Sequence, residues 1–377
     1  MRTLRRASLA GWAALRQAAP GLAVAVVLAF VARGMAAGVA QGAVGLPKFP
    51  LSPVMCAVVL GMLWRNTVGV PAWATRGLDW AMHRLLRIGI ALVGLRLTLS
   101  GATAIVVTAL PVALMCLTVA LLAGTAIARV LAVPRRLGLL LAVGTAVCGC
   151  TAVVAMSPVI RARHAETAFA VTCVVLFGCT AMLFYPWVAG HFLAASPLHA
   201  GIFLGTAIHD TSQVIGAALI YSQQAAAPAA LAAASVAKLL RNLSIALLLP
   251  AAAWLTQRQD AAQRPAPYPG PLAGRAAAAG RAPLVPFFVV AFVAFIVVRT
   301  AGDALLHASP PWQALVNTGY TTSDLFLTCG MTAVGLSVAF TDMWRIGWRP
   351  LAAGFTIATL AGGCSLLLTL GLLHFFG

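Results

Sequence analysis

Residues 103–127 run for 25 positions without one charged side chain, and stretches of similar character recur to the C-terminus. A helix of about 20 apolar residues crosses the roughly 30 Å hydrocarbon layer of a bilayer. Inside that layer each backbone N–H and C=O must be bonded within the protein, so only helices or a closed barrel can span it. Long apolar runs without alternation select helices. Only 8% of the 377 residues are charged and 62% are hydrophobic, against about 25% charged in a soluble domain. No water-soluble fold of this length buries so much apolar surface. The expected fold is an all-α polytopic membrane bundle.

Eleven hydrophobic segments fall at 18–40, 51–68, 86–100, 103–127, 137–160, 166–189, 199–222, 228–255, 284–301, 320–340 and 349–376, the second and third short for a full crossing. Residues 257–283 are rich in Pro, Gly, Ala and Arg without an apolar face, and read as a flexible cytoplasmic linker. They separate N-terminal helices within 1–256 from C-terminal helices within 284–377, all in one integral membrane unit. The formal net charge of +18 does not point to nucleic acid, because the basic residues form no continuous patch. They sit in gaps between apolar runs, as the positive-inside rule describes, and there they meet lipid headgroups. Arg2, Arg5, Arg6 and Arg16 place the N-terminus in the cytoplasm; Arg65, Arg76, Arg84, Arg87, Arg129, Arg135, Arg136, Arg258, Arg264, Arg275, Arg281, Arg345 and Arg349 mark later inside loops. The expected location is a bacterial inner membrane. Arg161, Arg163 and His164 break the pattern, so segments 137–160 and 199–222 either cross as broken helices or enter as re-entrant hairpins.

Eight cysteines lie mostly within apolar runs with no CxxC or Cys/His spacing; they read as small buried hydrophobes, and neither a metal nor a cofactor is expected.

Two internal similarities stand out. Gly89–Leu95 (GIALVGL) and Gly330–Leu336 (GMTAVGL) share G-x-x-x-V-G-L, and an odd number of crossings between them makes the copies point in opposite directions. Such inverted repeats are a common plan for secondary transporters. Gly144–Val154 (GTAVCGCTAVV) and Gly205–Ile215 (GTAIHDTSQVI) each place Gly-Thr-Ala and small polar groups in mid-segment. Glycines there, Gly149 among them, weaken the helix. An interrupted membrane helix bares backbone groups that protein or a watered cavity must satisfy, and its N-terminal half-helix end favours anions. Cys148, Gly149, Cys150 and Thr151 are therefore candidate substrate-binding residues. The alternative is that these glycines only allow close packing.

Ionisable groups deep in a span are rare and functional by default. Segment 199–222 carries His209, Asp210, Thr211, Ser212 and Gln213 in succession; segment 228–255 carries Lys238 and Arg241, three apart and so on one helix face. Asp210 is the expected partner of the cations, but one carboxylate against two leaves a positive surplus that an anionic ligand would complete. Arg241 suits bidentate contact with an oxyanion and Lys238 adds a point charge. Asp210 and His209 are the candidates for proton or sodium coupling. Weaker candidates are Arg96, at a helix break, and Asp324, near the start of segment 320–340; Glu166 reads as a span end.

The combination GTAVCGCTAVVAMSPVI, GTAIHDTSQV and KLLR resembles the YeiH-like family, whose members are labelled sulfate exporters. The resemblance runs from about Gly61 to the C-terminus. It implies a distant similarity to the sodium/bile acid symporter and sodium/proton antiporter fold, with inverted repeats and broken helices meeting at mid-membrane. His209 through Gln213, Lys238 and Arg241 match its motif positions. The family's CGNSA is here Cys148-Gly149-Cys150-Thr151-Ala152, so Cys150 replaces an amide. No GxxxxGK[ST] is present, so a gradient would supply the energy. The expected function is a secondary transporter of sulfate, sulfite or a related sulfonate by alternating access, with an ion-coupled organic-anion symporter or a passive anion channel as alternatives. No HExxH motif or paired carboxylates suggest an enzyme. Expected partners are a small anion and membrane lipid; a homo-oligomer stays open.

Overall fold

The computed structural model describes residues 2–40, 52–245, 248, 251, 287–306, 309–339, 341 and 348–376; the expected linker at 257–283 lies outside them. Among the described residues the regular structure is helical, with no strand. The helices are α1 (Arg2–Ala40), α2 (Pro53–Thr67), α3 (Ala72–Trp80), α4 (Leu86–Val93), α5 (Leu99–Val130), α6 (Arg135–Ala146), α7 (Cys150–Val159), α8 (His164–Phe192), α9 (Pro197–Ala207), α10 (Thr211–Gln224), α11 (Pro228–Leu243), α12 (Phe287–Leu306), α13 (Pro310–Ser337) and α14 (Trp348–Phe376). A π-turn at Ala81–Leu85 joins α3 to α4, and a 3-10 turn at Gly94–Arg96 ends α4.

Among the described residues five helical stretches are long and apolar enough to cross a membrane: Gln17–Val39, Leu99–Val130, Ala165–Phe192, Phe287–Leu306 and Trp348–His374. Their outer faces expose large apolar side chains such as Val107, Leu122, Val297 and Leu367, which suits lipid contact. Helix starts follow local chemistry. Ser52 caps α2 by accepting the Val54 N–H at 3.2 Å, Ser196 caps α9, and proline follows each cap.

Several segment boundaries need correction. Segment 86–100 is only the short α4 with its 3-10 turn, in a helical run that begins at Ala72. The helix expected from 320 starts at Pro310, because Ser309 and Pro310–Pro311 supply a start signal ten residues upstream, so Asp324 lies inside α13 rather than near its beginning. Segments 137–160 and 199–222 are each two helices, α6/α7 and α9/α10, interrupted at 147–149 and 208–210.

The chain divides into two compact units: Met1–Thr98, Leu219–Ala227 and Ala291–Phe340 form one; Leu99–Ala218, Pro228–Val290 and Thr341–Gly377 form the other. Each unit thus draws on helices from both sides of 257–283. In the first, α4 and α13 meet through reciprocal contacts. A side chain at Gly89 would strike Leu327, and one at Gly330 would strike Leu86. Each leucine lies three residues before the other copy's glycine, so the two G-x-x-x-V-G-L segments pack on each other in the same way.

In the second unit α11 lies against α9. Gly201 and Gly205, four apart on one face of α9, receive the backbone and methyl groups of Ala230, Ala233, Ala234 and Ala237. Small residues at this spacing let two helix backbones approach closely, and the approach brings the next turn of α11 within reach of both helix breaks. Gly205→Leu is therefore expected to cost on the order of 3 kcal/mol and to lower the thermal unfolding midpoint in detergent. Gly363→Leu, at a position with nothing within 4 Å, is expected to leave it unchanged.

Candidate functional site

The two broken helices are interrupted at the same place in the repeated motif. α6 ends on the alanine of Gly144-Thr145-Ala146 and α9 on that of Gly205-Thr206-Ala207; after three intervening residues α7 and α10 begin. The last carbonyls of a helix have no intrahelical donor and carry the negative end of its dipole. Here Lys238 and Arg241 of α11 satisfy them. Lys238 Nζ donates to the carbonyls of Val147 (2.8 Å) and Ile208 (3.1 Å), and to that of His209. Arg241 Nη2 donates to Thr145 and Ala146, both at 2.7 Å, its Nε to Ala146 at 3.1 Å, and its Nη1 to Thr206. In the motif alignment Val147 pairs with Ile208 and Thr145 with Thr206. Each cation thus bridges matched carbonyls of the two breaks. Both side chains are buried, Lys238 at 0% and Arg241 at 1% exposure.

This corrects the expected pairing. Among the described residues Asp210 forms no ion pair with either cation. Its Oδ1 caps α10, accepting the Ser212 N–H at 2.9 Å and the Ser212 hydroxyl at 2.6 Å. The donors of Lys238, expected to face a ligand, are matched one for one by carbonyls, and those of Arg241 are directed at carbonyls.

The other halves of the helices start on the accessible side. Gly149 precedes α7 with φ 66° and ψ −127°, a conformation open to glycine alone. A Cβ there would lie 2.8 Å from Asp210 Oδ2 and 3.0 Å from Asp210 Cα, so the two breaks touch at Gly149 and Asp210. No side chain caps α7. Cys150, Asp210, Thr211 and Ser212 are half-buried and Thr151 is exposed, while Thr145, Ala146, Val147, Thr206, Ile208 and His209 are buried. The crossing therefore hides its C-terminal helix ends and presents its N-terminal ones.

Polar atoms without partners among the described residues collect here. Both ring nitrogens of His209 lack one, with the residue 1% exposed. Gln213 donates Nε2 to Val175 O at 3.1 Å while its Oε1 stays unpartnered. Asn242 donates to Thr211 Oγ1 at 3.2 Å and its Oδ1 is also unpartnered. Sequence reasoning missed Asn242. The signal was there, because a third polar residue directly after Arg241 in an apolar run asks for the same explanation as the two cations.

Arg96 and Asp324 lie in the first unit. Arg96 closes the 3-10 turn and pairs with Asp324 at 2.8 Å, with its guanidinium 4.9 Å from the Tyr320 ring centre. Arg299 binds Asp303 at 2.6 Å and the Tyr320 hydroxyl at 2.6 Å. Two arginines and two aspartates balance there and fasten the end of α4 to α12 and α13. Glu166, read as a span end, accepts the Arg163 N–H at 2.7 Å in the first turn of α8.

Residues 20–354 match the family described as "Conserved hypothetical protein 698". The chain belongs to this family. Similar proteins include a UPF0324 membrane protein of Ralstonia nicotianae, 33% identical over 328 residues covering 84% of this chain and 85% of the relative. A UPF0324 membrane protein of Pseudomonas putida is 31% identical over 333 residues, 87% of each chain. One of Bordetella bronchiseptica is 33% identical over 333 residues, 86% of this chain and 95% of the relative. With the apolar helices, these relatives make the protein a membrane protein.

Two substitutions test the site's construction. Lys238→Met leaves three carbonyls without a donor and is expected to destabilise by about 3–5 kcal/mol, as when one partner of a buried charged contact is removed; a thermal midpoint equal to wild type would refute the bridging role. Gly149→Ala is expected to cost about 1–3 kcal/mol in backbone strain besides its clash with Asp210, read by the same unfolding measurement.

Proposed function

We propose that the protein is a secondary transporter that moves a small anion (sulfate, sulfite or a related sulfonate) across the bacterial inner membrane by alternating access. One observation carries the reading: two interrupted helices touch at their breaks, with their N-terminal ends on the accessible side and two buried cations behind them. N-terminal helix ends direct free N–H groups and partial positive charge at a ligand, and irregular backbone at membrane depth persists where it lines a site. The substrate's contacts are then the first turns of α7 and α10, with Cys150, Thr151, Thr211 and Ser212. Lys238 and Arg241 act through their charge and by holding the frame. The resemblance to the YeiH-like family and to the bile acid symporter fold, with its inverted repeats, supports the same reading, as do the matched motif breaks. The positive-inside rule, applied to the arginines, favours a cytoplasmic N-terminus. An ion gradient supplies the energy and no chemical conversion is involved.

The test is uptake of radiolabelled sulfate and sulfite into proteoliposomes under imposed proton and sodium gradients. Saturable, gradient-driven uptake is expected. Thr151→Trp, at an exposed position, is expected to cut uptake at least about tenfold, equivalent to 1.4 kcal/mol, with the unfolding midpoint unchanged. Undiminished uptake by this variant would move the binding face away from α7.

A further inference from the structure

We infer that the crossing is built to hold one net negative charge: it takes a monoanion alone, and a dianion only together with a proton on Asp210. The inference rests on the proposed transport reading and deepens it. The crossing joins two helix N-termini and two C-termini, each worth about half an elementary charge, so the backbone contributions cancel. What remains are ionised side chains. Lys238, whose Nζ donates three hydrogen bonds as only an ammonium can, and Arg241 supply two positive charges, and Asp210 is the carboxylate that shares the crossing with them among the described residues. Glu166 is engaged at the start of α8. The surplus is one positive charge, and a charge left uncompensated in a low-dielectric interior is costly.

The surroundings of Asp210 add no further charge. Lys238 on α11 acts on it, as do three thiols, Cys148 in the break, Cys150 on α7 and Cys179 on α8. His209 beside it counts as a neutral ring, since a third buried cation would have no counter-charge. Its two ring nitrogens and Gln213 Oε1 are buried polar atoms without a hydrogen-bond partner among the described residues, and buried polar atoms are normally bonded. The carboxylate itself is divided in use. Oδ1 is held by Ser212, whereas Oδ2 faces Gly149 and no donor among the described residues reaches it. Oδ2 is thus the oxygen free to take a proton without breaking the cap. A monoanion neutralises the surplus with Asp210 ionised. A dianion overshoots by one, and a proton taken from the aqueous phase onto Oδ2 restores balance, to be released with the anion on the other side.

The experiment uses the full chain in proteoliposomes with the membrane potential clamped at zero by potassium and valinomycin. The probes are sulfate, a dianion, and nitrate, a monoanion. Under a proton gradient of one pH unit, acidic outside, wild type is expected to accumulate sulfate about tenfold, because one unit is a factor of ten in proton activity, and to leave nitrate at equal concentrations. Asp210→Asn keeps a good helix cap and is expected to move sulfate without responding to the gradient. Sulfate uptake by wild type that ignores the gradient would overturn the inference while leaving the carrier reading intact, as would nitrate accumulating like sulfate or Asp210→Asn keeping the response. Failure of wild type to move either anion would instead take down the carrier reading, and the inference with it. Should Asp210→Asn not fold, the sulfate–nitrate comparison on wild type decides alone.

Discussion

Two cations buried at 0% and 1% exposure define the second unit. A charged side chain in an apolar interior is tolerable only when its donors are met. The carbonyls that meet them exist because two helices stop. The relation runs both ways, since helix ends without partners would be equally costly. Lys238 and Arg241 on one side and the ends of α6 and α9 on the other are therefore one structure. The glycine pair Gly201 and Gly205, which brings α11 against α9, is the packing that makes it reachable.

This interlock leaves the two polarities of the broken helices in different surroundings. The C-terminal ends are used up internally by α11. The N-terminal ends, at Cys150 and Thr211, remain on the accessible side, with Asp210 capping one and facing the other across Gly149. The proposed anion reading rests on this arrangement, in which the negative helix ends are hidden behind fixed cations and the positive ones stay open. In the first unit the same physical need is met differently. Arg299 and Tyr320 reach the Leu95 carbonyl at the end of α4 at 3.4 and 3.2 Å, and Asp303 and Asp324 balance the arginines. That cluster is neutral, with two arginines set against two aspartates.

Much of the candidate site is legible in the sequence. The polar run His209–Gln213 and the pair Lys238/Arg241 stand out because apolar spans exclude such residues, and the two Gly-Thr-Ala motifs marked both breaks. What misled was the partner. Charge counting paired the cations with Asp210, the one carboxylate in sight, whereas a backbone carbonyl carries no letter in the sequence and becomes an acceptor only where a helix ends. Asn242 was passed over because it sits beside a stronger signal.

The sequence by itself determined that the chain is helical and lies in a membrane, since long uncharged runs admit no other satisfied backbone, and it determined where helices must weaken. It also identified the residues too polar for lipid. Only the tertiary structure decided what those residues touch. Hydrogen bonds to the carbonyls of Val147 and Ile208 span 91 and 30 residues from Lys238, and no local pattern encodes them. They depend on α11 packing into the small-residue face of α9, which fixes the distance at which a lysine and an arginine can close two helix ends at once.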